Sequence, residues 1–157
     1  AELVNSIAAT DLYSFSIPGG TLSTSRAVRI VALGDYLNNS GAGATLTADC
    51  VFDGSAVANF TSASIAADAN RRSFMSECTI AARNATNAQT GHGHHVLGTT
   101  NTGASGNAGA PFFNVYGSDN ALAKDSTLAL TVSLRYTHSV ANANISIRIH
   151  TVFLELL

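Results

Sequence analysis

Residues 144–156 read NISIRIHTVFLEL, and the distribution of their apolar side chains decides what kind of fold the chain adopts. Ile145, Ile147 and Ile149 alternate with Ser146, Arg148 and His150, the period of two that marks a strand with one face on a core. Beyond His150 the pattern slips by one residue: Val152, Leu154 and Leu156 continue it on the other parity, with Phe153 and Leu157 beside them. Two arrangements produce such a slip. A bulge resets the register so that one core receives both sets, or both faces of the strand are covered. Burial on both faces is the favoured expectation, with Val152, Phe153, Leu154 and Leu156 meeting a neighbouring subunit, because an apolar end such as TVFLELL is a liability on a monomer.

Working outward, period-two segments recur along the chain. They are LYSFSI at 12–17, RAVRIVALGDYL at 26–37, TLTADCVF at 45–52, AVANFT at 56–61, RRSFMSECTIAAR at 71–83, PFFNVYG at 111–117 and TLALTVSLRYT at 127–137, with QTGHGHHVL at 89–97 a weaker candidate. Together with the last segment they make about nine strands, separated by turn signals such as PGG at 18–20 and Asp53-Gly54. No helical periodicity persists, and at most one helical turn is expected, around 64–71. The expected fold is all-β: one domain over residues 1–157, built as an antiparallel sandwich or jelly roll, with a long polar loop around residues 90–111.

Composition narrows the function. Only 11% of the 157 residues are charged and the net charge is -2, which leaves no electrostatic footprint for nucleic acid or an anionic membrane surface. No apolar run is long enough for a membrane-crossing helix. So little charge favours association, which points to an assembled protein.

Candidate chemistry is sparse. There is no GxSxG or Cys-His signature for a nucleophile. Glycoside hydrolysis needs two carboxylates facing across a cleft, but Asp35 and Asp53 sit at strand ends, and Asp49 and Glu77 on polar strand faces; Asp119 completes the set. An enzyme is not expected, nor a cofactor. Cys50 and Cys78 fall on the more apolar parity of their strands and are read as two buried free thiols in preference to a disulfide. Arg71 and Arg72 open a strand and are candidate contacts to an acidic partner. His92, Gly93 and His94 put two imidazoles on one side of an extended segment, the donor type that transition metals prefer. No third ligand stands at a recognisable spacing, so a metal is expected only where copies of the chain meet on an axis.

The succession LYSFSIPGGTLSTSRAVRIVALGDYLNNSG, a TLT strand with Asp-Gly, RRSFMSECTIAARNATNAQ and the LTVSLRYTHSVANANISIRIHTVFLEL ending resembles small virion proteins of tailed bacteriophages. These include capsid decoration (cement) proteins and jelly-roll modules of tail fibres and spikes. The resemblance covers nearly the whole chain and rests on strands and turns, not on a diagnostic motif. It implies a jelly roll assembled as a homotrimer, made in the host cytoplasm and placed on the virion, where it would bind and stabilise the major capsid protein. The other role it implies is a receptor- or glycan-binding head, with Asn114, Tyr116 and the histidine segment in exposed pockets. Phage trimers of this class use H-x-H on the threefold axis, which would make His92 and His94 the metal candidates.

Overall fold

The computed structural model describes residues 1–98 and 122–157 in full and 112–121 as backbone; residues 99–111, most of the expected polar loop, lie outside the described residues. Ten strands and no helix are present among them. The strands are β1 (Glu2–Val4), β2 (Thr10–Ile17), β3 (Ala27–Asn38), β4 (Leu46–Phe52), β5 (Ser55–Thr61), β6 (Asp68–Ala85), β7 (Ala88–Leu97), β8 (Phe112–Leu122), β9 (Leu130–His138) and β10 (Ile145–Leu156). They form a six-stranded sheet of order β1-β10-β3-β6-β7-β8 and a four-stranded sheet of order β2-β9-β4-β5. Every pairing is antiparallel. The Asp53-Gly54 turn joins β4 to β5 with positive φ at both residues (46° and 79°), the combination a two-residue hairpin loop requires.

The core lies between the two sheets. Val28, Ile30, Ala32 and Tyr36 of β3, Phe74 and Ile80 of β6, and Ile145, Ile147 and Ile149 of β10 face Leu46, Ala48 and Phe52 of β4 and Val132, Leu134 and Tyr136 of β9. Cys50 of β4 and Cys78 of β6 meet here as a disulfide, their Cα atoms 5.9 Å apart, which corrects the expectation of two free thiols. Strand parity places both cysteines inward. What parity cannot supply is that β4 and β6 belong to opposite sheets and stack across the core, within bonding reach.

The C-terminal strand adopts the first of its two arrangements. Ile149 pairs with Gly34 and Thr151 with Leu33, so His150 is the extra residue of a β-bulge. The bulge restores inward parity: Val152 and Leu154 pack on the same core as the three isoleucines, while Phe153 points out. The expectation of burial on both faces is therefore corrected for Val152 and Leu154. Gly34 makes the bulge possible, since a Cβ there would collide with the Arg148 carbonyl oxygen.

Residues 89–97, a weaker strand candidate whose part from 90 onward was also expected to open a polar loop, are strand: they form most of β7, paired with β6 on one side and β8 on the other, so the loop expectation is corrected for 90–97. Gly91 and Gly93 face inward, where a Cβ on either would collide with Val57 or Ala58 of β5. The glycines of TGHGHH thus mark a close approach of the two sheets rather than a flexible segment.

Candidate functional site

The outer face of the six-stranded sheet gathers most of the residues singled out from the sequence. Across β10, β3, β6 and β7 the registers align three rows: Glu155, Arg29, Thr79, His92; then Phe153, Val31, Glu77, His94; then Thr151, Leu33, Met75, Val96. Strand alternation forces these side chains outward, because their neighbours fill the core. Phe153 is 50% exposed and Leu33 39%, and half-buried Val31, Met75 and Val96 join them into an apolar stripe. Beside the stripe, a depression of about 260 Å³ is lined by Leu33, Ser73, Phe74, Met75, Val96 and Gly98. A second depression, of about 270 Å³, is lined by Glu77, Thr79, His92, Gly93 and His94. Leu156 also remains exposed, at the open end of β10. Of the four expected interface residues, Phe153 and Leu156 face solvent and Val152 and Leu154 face the sandwich.

At the other end of the same face a charged network crosses β1, β10, β3 and β6. Arg71 donates to Asp35 and, at 2.6 Å, to Ser146 Oγ, with Glu2 3.7 Å away. Arg148 donates to Glu2 at 2.8 Å, and His150 Nε2 lies 2.8 Å from Asp35 Oδ2. Burial pushes the Asp35 carboxyl up, but the hydrogen bonds from His150 and Arg71 outweigh it and hold the group below its ordinary value. Glu2 is lowered in the same direction, chiefly by Arg148. Arg71 is thus engaged within the chain. Arg72, on the opposite parity, is buried between the sheets with its guanidinium 3.5 Å from the Ala66 carbonyl oxygen. The two arginines face opposite sides of β6 and do not form one contact patch.

Two histidines lie inside the sandwich. His95, next to the outward pair, turns inward, stacks on Phe60 at 5.9 Å and has Nδ1 2.8 Å from Ser76 Oγ. His138, at the end of β9, meets the Tyr36 ring edge-on at 6.0 Å, and neither of its ring nitrogens has a hydrogen-bond partner among the described residues. Burial pushes both imidazoles down to about 4, for His95 with a further push from His94. The same burial raises the Tyr36 phenol to about 12, against the pull of Arg72. A cavity beside His95 measures about 20 Å³, room for one water and for no substrate.

The carboxylates do not assemble into a catalytic pair. Asp49 lies on the outer face of the four-stranded sheet, hydrogen-bonded by Asn59 and opposite Arg135. Glu77 lies on the outer face of the other sheet, with the whole sandwich between them. Asp53 belongs to the β4–β5 turn, near Lys124 at 3.7 Å. Asp119, Asn114 and Tyr116 fall on β8, where only the backbone is described. Among the described residues, no group of three or more His, Cys, Asp or Glu side chains is placed to hold a metal ion.

Sequence reasoning did not single out the Asp35–His150 contact or the two buried histidines. The parity break at His150 signals the first. The inward parity of His95 and His138 on β7 and β9 signals the second. Comparison with protein-family models, with curated proteins and with solved structures finds no match to this chain.

Proposed function

We propose that the chain is a non-catalytic structural protein of a virion, a jelly roll that assembles as a homotrimer and binds and stabilises the capsid shell as a decoration protein. The jelly-roll reading is supported by how strand partners nest. With the β7–β8 hairpin set aside as an addition beside β6, β1 pairs with β10, β2 with β9, β3 with β6 and β4 with β5. Successive pairs fall alternately in the six-stranded and four-stranded sheets. That is a long hairpin rolled upon itself, the pattern of eight strands wound as two Greek keys. Such a fold carries its function on outer faces, edges and loops rather than in a central cleft.

The observation that carries the assembly reading is the outward stripe of Phe153, Val31, Leu33, Met75 and Val96. In a protein with so few charges, a contiguous apolar stripe on a sheet face is a contact surface. Light scattering tests assembly, with a mass three times the 16.1 kDa of one chain as the expected result. Copy number in purified particles tests the role. Hundreds of copies per particle support decoration, a few dozen or fewer point to a tail-fibre head, and absence from particles overturns both.

A further inference from the structure

We propose that the Cys50–Cys78 pair records the redox condition under which the chain folds: the disulfide is made or broken only while the two sheets are apart, and the closed sandwich exchanges with neither a thiol reductant nor a disulfide oxidant. The proposal does not rest on virion assembly, since both cysteines belong to one chain. Each lies on an inner strand of its sheet, β4 between β9 and β5, and β6 between β3 and β7. In register, Cys50 stands between Leu134 and Ala58, and Cys78 between Ile30 and Gly93. Cys50 is 0% exposed and Cys78 1%.

Exchange has a spatial requirement that this placement denies. A thiolate must reach one sulfur of the bond, and the product of that first step is a mixed disulfide still carrying the attacking molecule. The two Cα atoms are 5.9 Å apart across the core, with buried Ala48 and Phe52 flanking Cys50 along β4 and buried Ile80 beyond Cys78 on β6. A close-packed interior leaves no place for the mixed disulfide. The cavity beside His95 and the two depressions on the outer face are lined by neither cysteine. The reverse reaction meets the same barrier, because the thiolate is the reacting form and burial among apolar groups disfavours it.

With the sheets apart the chemistry is ordinary. The thiolate of one cysteine attacks oxidised glutathione and releases one glutathione thiolate; the other cysteine, as thiolate, attacks the mixed disulfide and releases the second. The chain gives up two electrons and two protons, and one glutathione disulfide becomes two thiols. Once the sheets stack, whichever state the pair has reached is closed in. A chain that closes in reducing surroundings keeps two core thiols, one that closes in oxidising surroundings keeps the bond, and the folded protein does not pass from one form to the other.

The test is reduction of the folded, oxidised full chain by dithiothreitol near neutral pH, quenched in acid and read as the mass added when free thiols are alkylated in denaturant. The expected result is reduction at least about 1000-fold slower than that of oxidised glutathione in the same buffer, the factor set by a fold that is open no more than ~10⁻³ of the time. The logarithm of the rate is expected to rise with urea along the slope of global unfolding followed by far-UV circular dichroism. A faster reduction, or one that urea leaves unchanged below the unfolding transition, shows a path to the sulfurs through the closed fold and overturns the proposal. The converse arm gives oxidised glutathione to chain refolded with reductant present. The expected mass is that of the dithiol, and a folded protein that gains the disulfide or a glutathione adduct without urea contradicts the proposal. Where the reduced chain does not refold, the first arm stands alone as the test.

Discussion

The two outer faces of the sandwich are built on opposite principles. On the four-stranded sheet the outward rows are polar and satisfy one another. Thr47 and Thr61 share a 2.9 Å hydrogen bond, Asn59 donates to Asp49, and Arg135 donates to Asp11 at 2.6 and 3.2 Å. On the six-stranded sheet the ion pairs found among the described residues lie toward the ends of the face, and the rows between present Phe153, Leu33, Met75 and Val96 beside Glu77 and His94. Cross-strand polar pairs contribute little to stability, about 0.2–1 kcal/mol each, yet they leave a surface that water already satisfies. An apolar stripe gains only when something covers it. The same fold thus carries one face whose polar groups pair within the chain and one whose apolar stripe is left open, the face that the proposed assembly would cover.

Between these faces lie the elements on which both depend, and the largest expected effect acts there. His95 and His138 are held neutral in the core, lowered from 6.5 to about 4 by burial. A group lowered in the folded state binds fewer protons there than in the unfolded chain, so its contribution is fully present above about pH 6.5 and is lost as pH falls toward 4. Each imidazole accounts for at most about 3–4 kcal/mol over that window. Urea unfolding at stepped pH should show stability dropping steeply on acidification through it. His138→Phe should flatten the slope, and a profile unchanged by that substitution would remove His138 from the account.

Next in size is the bond that joins the sheets. The Cys50–Cys78 disulfide closes a loop of sequence separation 28, so its removal should cost about 3–4 kcal/mol through the freedom returned to the unfolded chain. Comparing unfolding midpoints of the oxidised protein and the Cys50→Ala, Cys78→Ala double variant measures this. A difference well below 1 kcal/mol would mean that packing alone holds the faces in their relation.

These interior elements also show what the sequence made legible and what it did not. Parity along β3, β4, β6, β9 and β10 reads directly from the alternation of apolar with polar residues and puts Cys50 and Cys78 on the inner sides where they lie, and on β7 it puts His92 and His94 together on one side. Partners distant in sequence do not read this way. The disulfide depends on β4 and β6 facing each other across the core, and the ties of Arg71 to Asp35 and Glu2 depend on four strands lying side by side. Gly91 and Gly93 misled the reading for a physical reason. Glycine weakens a strand in isolation, and only the closeness of β5 explains why nothing larger fits. Strand β1, at three residues, is too short to show a period at all.

A smaller effect is expected at the bulge that sets the parity of β10. His150 is largely exposed, so losing its contact to Asp35 in His150→Ala should cost less than about 1 kcal/mol. Thermal unfolding would check this. A loss of several kcal/mol would show that the bulge, and with it the outward turn of Phe153, rests on this one contact rather than on Gly34 and the packing of Val152 and Leu154.

The contrast between the faces is tested most directly by sedimentation equilibrium of three proteins at micromolar concentration: the unmodified chain, Phe153→Asp on the apolar face and Thr61→Asp on the polar face. The account predicts a mass three times 16.1 kDa for the first and third and a single-chain mass for the Phe153 variant. A monomeric unmodified chain, or a Phe153→Asp protein that keeps the full assembly mass, would contradict it.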